Sequence, residues 1–236
     1  GASPAWITLA LTLPSADERW ISHFCTGLFG LAHTHQVALI GGDLTRGPLS
    51  ITIQAMGLIP RQQALHRSGA KPGDLIFVTG TLGDAGYALQ HLNEQIDASL
   101  VGRLNRPCPR VDLGEKLREV ANAAIDISDG FCADLKHLLT ASQVGAKVNV
   151  DSIPLSEALL KATDRSTAIP LALGAGDDYE LCFTVPADKQ GNLASLLAST
   201  HCQYTCVGVI TAEPGLVLHH DNHSLYRGNT DGYQHF

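Results

Sequence analysis

Two carboxylates and a hydroxyl crowd into Asp126-Ile127-Ser128-Asp129, at the end of the apolar run Ala123-Ala124-Ile125 and just before Gly130. An unpaired charge at the close of a buried element is costly, so these acids predict a cationic partner. Hard carboxylate oxygens beside a hydroxyl suit Mg²⁺, which often shares its oxygen ligands with substrate phosphates. A plainer reading stands beside that one: a solvated turn in which Ser128 or Asp129 caps a helix beginning at Phe131. Recurrence weighs against the plain turn, because similar clusters occur twice more.

The second cluster is Gly41-Gly42-Asp43-Leu44-Thr45-Arg46-Gly47, after the apolar Ala38-Leu39-Ile40. Glycines let backbone approach a ligand closely, and an arginine fork suits phosphate oxygens. A tight turn with a solvated Arg46 would account for the same residues. The third cluster is Gly174-Ala175-Gly176-Asp177-Asp178-Tyr179-Glu180, with three acids ahead of the strand-like Leu181 to Val185; its plain reading is a polar loop. Between them, Leu75 to Val78 reads as a buried strand, Thr79-Gly80-Thr81-Leu82-Gly83 as a glycine bend, and Asp84 to Leu92 as a helix. Strand, bend and helix N-terminus together predict an anion site. The spacing fits neither the P-loop nor G-x-G-x-x-G.

These clusters need elements to position them. Residues 5–58 hold an apolar run (Trp6 to Leu13), an amphipathic helix over about Ala16 to His35, and two strand-like segments. The helix stripe comprises Trp20, Ile21, Phe24, Leu28, Phe29 and Leu31. Alternation over Leu49 to Gly57 predicts a strand with one face buried. Ile59-Pro60-Arg61-Gln62-Gln63 reads as a linker, giving two parts, 1–60 and 61–236. The second part alternates strands and helices: helices over Lys116 to Ala124, Phe131 to Ser142, from Pro154 to Leu160, and over Gly191 to Ser199; strands over Ala146 to Val150, up to Val185, and over Tyr204 to Ile210. The fold class is α+β, a mixed α/β chain in two domains.

Composition narrows the class. A net charge of −7 argues against nucleic acid, whose backbone wants a basic face, but not against nucleotide, because Mg²⁺ offsets acids locally. The cysteines at 25, 108, 132, 182, 202 and 206 lack zinc spacing and read as buried thiols. Most of the 11 histidines, including His33, His35, His219, His220 and His223, read as surface residues rather than ligands. No signal peptide and no apolar run near 18 residues is present, so the expectation is a cytoplasmic protein with no membrane span.

Read in order, the motifs resemble the thiamine-monophosphate kinase family, within the superfamily that includes aminoimidazole ribonucleotide synthetase and selenophosphate synthetase. The resemblance runs over Gly41 to Gly47, Arg67-Ser68-Gly69-Ala70-Lys71-Pro72-Gly73-Asp74, Arg106-Pro107-Cys108-Pro109-Arg110, Ile125 to Gly130, Gly176 to Leu181 and Gly232-Tyr233-Gln234-His235-Phe236. One departure is Asp177, where the family usually has a longer glutamate. Another is the start, which resembles the tail of a motif preceded in the family by further acidic segments; the expectation is an N-terminally truncated chain, very weakly active.

The resemblance implies an aminoimidazole ribonucleotide synthetase-like fold with an incomplete N-terminal ATP/metal-binding and dimerisation domain. It implies transfer of the γ-phosphoryl of ATP to thiamine monophosphate with Mg²⁺, in a cytoplasmic homodimer. Asp43, Asp126 and Asp129 are then metal ligands, with Asp43 also on the nucleotide side. Gly42 lies beside the nucleotide, Arg67 contacts it and Ser128 meets its phosphate. Asp177 and Tyr233 face thiamine, Tyr233 offering its ring to the cationic thiazolium. No residue is expected to serve as general base. Two alternatives stand: a ligase-like synthetase of the same superfamily, which activates an amide or carbonyl oxygen with ATP, and an inactive ligand-binding fragment.

Overall fold

The computed structural model describes residues 1–228 together with Gly232 and Tyr233. The chain divides into two compact units, Gly1–Ala64 and Leu65–Phe236.

The first unit contains strand β1 (Ser3–Leu13), helix α1 (Glu18–Thr34), strand β2 (Ala38–Arg46) and strand β3 (Ser50–Leu58). Its sheet has the order β2-β1-β3, parallel between β1 and β2 and antiparallel between β1 and β3. Asp17 caps α1, its Oδ1 accepting from the backbone N–H groups of Arg19 and Trp20 at 3.0 Å each. Ile7, Leu11, Leu13 and Ala32 are the buried apolar residues here. Leu31, expected on the helix's apolar stripe, is instead 53% exposed, while Ala32 turns inward. The 3.6-residue period carries the stripe through Ile21, Phe24 and Leu28 to Ala32 and leaves its neighbour outside.

The second unit is built on a six-stranded sheet with the order β5-β7-β4-β8-β6-β9. These strands are β4 (Leu75–Thr79), β5 (Ala123–Ile127), β6 (Gly145–Asn149), β7 (Glu180–Val185), β8 (Tyr204–Thr211) and β9 (Gly215–His219). Every pairing is antiparallel except β6 with β9. Both faces are covered. Ile76 and Val78 of β4 join one core with helix α5 (Phe131–Ser142), through Phe131, Leu135 and Leu138. Phe77 faces the other core, stacked on Phe183 at 5.4 Å, with helices α4 (Val111–Leu117) and α8 (Gln190–Leu197). A central strand buried on both sides reads as an unbroken apolar run, which is why Leu75 to Val78 is legible in the sequence.

Helices α2 (Asp84–Gln90), α3 (Ala98–Asn105), α6 (Glu157–Ala162) and α7 (Arg165–Gly174) form a smaller cluster around Leu100, Leu159 and Ala168. Helix α3, helix α7 and strand β9 have no counterpart in the sequence expectation. Pro170 inside α7 masks that helix. The helix expected over Lys116 to Ala124 is also incorrect. Helix α4 ends at Leu117, and Ala123 and Ala124 pair with Thr184 and Phe183 as the start of β5. Alanine favours helix intrinsically, but burial of a small side chain in this sheet outweighs a propensity of a few tenths of a kcal/mol.

Candidate active site

The loop Ser128–Gly130 joins β5 to α5 and organises the site. Gly130 has φ +118, and a Cβ there would lie 2.9 Å from the Gly174 backbone, so only glycine fits without displacement. Gly130 is the N-cap of α5 and makes no side-chain cap bond. The loop is held instead by Asp134, whose Oδ2 accepts from the N–H groups of Ser128 at 2.9 Å and Asp129 at 3.0 Å. Asp134 is buried, and burial lifts its carboxyl above the usual range, with the Asp129 and Asp126 charges adding to the lift against those two bonds. The reading in which Ser128 or Asp129 caps the helix is therefore wrong. Their backbones are bound by a carboxylate from within the helix, and their side chains stay out of the cap.

Asp126 corrects the burial argument as well. It stands near the end of β5, an edge strand, with its side chain 55% exposed, and Ile125 and Ile127 take the inward positions. No desolvation penalty demands a cation here. What Asp126 does offer is an oxygen beside Arg67, whose Nη2 lies 3.9 Å from Asp126 Oδ1. Both side chains are more than half exposed, so the pair adds little to stability and remains open to a ligand. Backbone bonds fix the Arg67 segment: Ala124 N donates to His66 O at 3.2 Å, and Ser142 Oγ to Arg67 O at 2.7 Å.

The third acidic cluster packs onto the same loop. Asp177 N donates to Ser128 O at 2.9 Å, and Tyr179 N to Ile127 O at 2.8 Å. Gly176, at φ +77, lies so close that a Cβ would sit 2.6 Å from Ser128 O. Asp177 and Tyr179 both have left-handed backbone, φ +60 and +49, and both side chains reach the surface. Asp178 and Glu180 alternate inward and are buried.

Those two buried acids change the meaning of the glycine bend. Asp178 accepts from Gly83 N at 2.9 and 3.1 Å, one bond to each oxygen. Glu180 receives Arg103 at 2.8 Å, Arg110 at 2.5 and 2.7 Å, and the Thr79 hydroxyl at 2.5 Å. Its carboxylate also fills the space that a Cβ on Gly80 would need. The bend is thus an anion site whose anions are the protein's own carboxylates, and the expected ligand site there is a correction. Arg110, from the Arg-Pro-Cys-Pro-Arg motif, is a structural partner whose guanidinium is held more firmly protonated by Glu180. Arg103 and Arg110 escape sequence reading because their partner lies 77 and 70 residues away in the chain.

Tyr233 closes the group. Its N–H donates to Asp129 O at 2.9 Å, and its side chain is exposed. Gln234, His235 and Phe236 lie outside the described residues. One loop therefore gathers Arg67, Asp126, Ser128, Asp129, Asp177 and Tyr233.

Gly42 and Asp43 belong to the first unit, within β2 rather than in a turn. Gly42 has φ +149, and a Cβ would lie 1.9 Å from Leu9 O, so the close approach that requires glycine is to β1. Asp43 is exposed, with Oδ1 accepting from Leu44 N at 2.9 Å.

Among the described residues no group of three or more His, Cys, Asp or Glu side chains is arranged to hold a metal alone. The imidazoles at 219, 220 and 223 are engaged locally, His220 with Asp151 at 3.1 Å. Asp126, exposed beside Arg67, and Asp129 are the carboxylates of this loop that would hold Mg²⁺, an ion often bound through one or two carboxylates with water and substrate phosphate in the remaining positions. Cys132 and Cys182 are buried, and burial pushes their thiols up to about 12, which rules them out as nucleophiles at neutral pH.

The chain matches the family AIR synthase related protein, N-terminal domain, over residues 1–59, and AIR synthase related protein, C-terminal domain, over residues 71–221. A thiamine-monophosphate kinase of Salmonella typhimurium is 46% identical, across 100% of this chain and 75% of the relative. A crystal structure of thiamine-monophosphate kinase from Stenotrophomonas maltophilia superposes with TM-score 0.88 at 48% identity, covering 92% of this chain and 72% of that one. A structure described as AaThiL complexed with AMPPCP and TMP has TM-score 0.85 at 28% identity, covering 100% and 75%.

Proposed function

The chain belongs to the thiamine-monophosphate kinase family, and on that premise we infer that it phosphorylates thiamine monophosphate with ATP to give thiamine diphosphate. The bond between the β–γ bridging oxygen and the γ-phosphorus of ATP breaks, a phosphate oxygen of thiamine monophosphate takes the phosphoryl group, and ADP leaves. The attacking oxygen is already ionised near neutral pH, so no residue need remove a proton. This reaction is chiefly a matter of holding two anions in line and offsetting their repulsion. Mg²⁺, when bound, supplies the positive charge between them.

The chain's own residues take up the remaining roles. Asp126 and Asp129 would hold the cations. Ser128 donates to a nucleotide phosphate, and Arg67 offers its fork to the same nucleotide. Asp177 and Tyr233 face the thiamine end. The observation that supports this reading is the hydrogen-bonded convergence of the 126–129 loop, the 176–179 loop and Tyr233. The six cysteines are all free, which suits the reducing cytoplasm. No described helix is long and apolar enough to cross a membrane.

Self-association through the first unit belongs to the same reading. By register Leu39, Leu44, Ile51 and Ile53 share a sheet face with Ile7 and Leu11, yet each is at least 38% exposed. A contiguous exposed apolar face of this kind marks an interaction surface, and a homodimer supplies the partner.

The test is ADP release with and without thiamine monophosphate. The expected result is release that requires thiamine monophosphate and stops on chelation of Mg²⁺. Steady ATP turnover without it, or release of inorganic phosphate in place of phosphoryl transfer, would favour the ligase-like chemistry.

A further inference from the structure

Tyr179 is a bulky residue at φ +49, in a conformation that such side chains rarely adopt. It is also 45% exposed, so no core packing explains its presence. The backbone on both sides over-determines it. Asp178 is fixed by Gly83 N, Glu180 by two arginines and a threonine, and Tyr179's own N–H by Ile127 O at 2.8 Å. A strained position held this firmly, with an exposed side chain, points to use rather than to packing.

The surroundings say what the use is. The Tyr179 hydroxyl donates to Asp177 Oδ1 over a long 3.4 Å. Its phenol is held above its ordinary range by partial burial, then by Asp177, with Asp126 and Asp129 contributing at longer reach. The ring therefore lies in the negative field of the Asp177 carboxylate. An aromatic face in such a field attracts a flat ring with delocalised positive charge. Asp177, shorter than the family's usual glutamate, is bonded to Tyr179, so the two act as one unit at the thiamine end of the site.

We propose that Tyr179 is a substrate-contacting, specificity-determining residue whose ring packs against the cationic ring of thiamine monophosphate beside Asp177. This rests on the reaction given above. The adenine of ATP is the competing occupant, but it carries no positive charge to use the field.

Steady-state kinetics on Tyr179→Phe, Tyr179→Leu and Tyr179→Gly, with melting temperatures, decide it. Phe keeps the π face and should hold KM for thiamine monophosphate within about 2-fold. Leu and Gly should raise that KM by roughly 10-fold while leaving KM for ATP in place. Gly should leave the melting temperature unchanged or raise it, because it relieves the left-handed strain. If Gly lowers the melting temperature and spares both KM values, Tyr179 is structural and the proposal is overturned. It is also overturned if Leu matches Phe, or if KM for ATP rises as much as that for thiamine monophosphate. Wild-type protein that forms no thiamine diphosphate overturns the reaction and this inference together; active wild type with unaffected variants overturns this inference alone.

Discussion

Asp129 separates backbone work from side-chain work. Its N–H is held by Asp134 and its carbonyl receives Tyr233 N, while its carboxylate lies outside both bonds. Asp129→Asn leaves those backbone bonds alone and removes one formal charge from the proposed cation site. It should lower kcat by on the order of 10² or more, as loss of a preorganised electrostatic contact does, with the melting temperature nearly unchanged. Near-normal turnover at limiting Mg²⁺ would show that Asp129 is no ligand. Candidate residues at this scale were legible because acids beside glycines are unusual at the ends of apolar runs. Their reasons were less so. Asp126 is exposed, not buried, and the residue that fixes the loop, Asp134, reads in sequence as one more acid in a helix's first turn. Gly42 has its requirement in Leu9, 33 residues earlier, which no local pattern shows.

At the scale of elements, the β4–α2 bend shows how a recognisable pattern acquires a different partner. Strand, glycines and helix start are where expected, but Asp178 has taken the Gly83 N–H, and Arg103 with Arg110 neutralises Glu180. Two-sided burial made β4 readable and alternation marked β3, although the buried face expected of β3 is exposed in this unit, whereas α7 hides behind Pro170 and β5 behind two helix-favouring alanines. The bend also carries a pH signature. Burial lifts the Asp178 carboxyl well above its ordinary 3.8. The folded state therefore binds that proton more tightly than the unfolded state. The stability this supplies is complete below the unfolded value and is lost as pH rises through the folded one. Asp178→Asn keeps an acceptor for Gly83 N–H and carries no charge, so its contribution is flat. The variant's melting temperature should gain on wild type as pH is raised from about 4 to about 7. A gap that is constant, or that widens toward acid, would mean that Gly83 and Arg103 outweigh burial at this carboxylate.

For the whole molecule, the motifs point to the family through their order along the chain, although each alone has an ordinary explanation. The arrangement of residues around the Ser128–Gly130 loop joins chain segments more than 100 positions apart, Tyr233 with Asp129 among them. Such closure follows from topology, which a single sequence encodes only through long-range packing. Assembly belongs to this scale as well. The first unit's exposed apolar face predicts that Ile51→Asp with Ile53→Asp converts a dimer to monomers by light scattering, with the second unit's fold retained. An unchanged mass would place the interface elsewhere.

The central claim is that one loop brings the γ-phosphoryl of ATP to the phosphate of thiamine monophosphate. The most direct measurement follows the label from [γ-³²P]ATP, with thiamine monophosphate and Mg²⁺ present, into separated products. The account predicts label in thiamine diphosphate, on its terminal phosphate, in step with ADP formed. Label found only in inorganic phosphate, or retained in ATP while the protein binds both substrates, would contradict it.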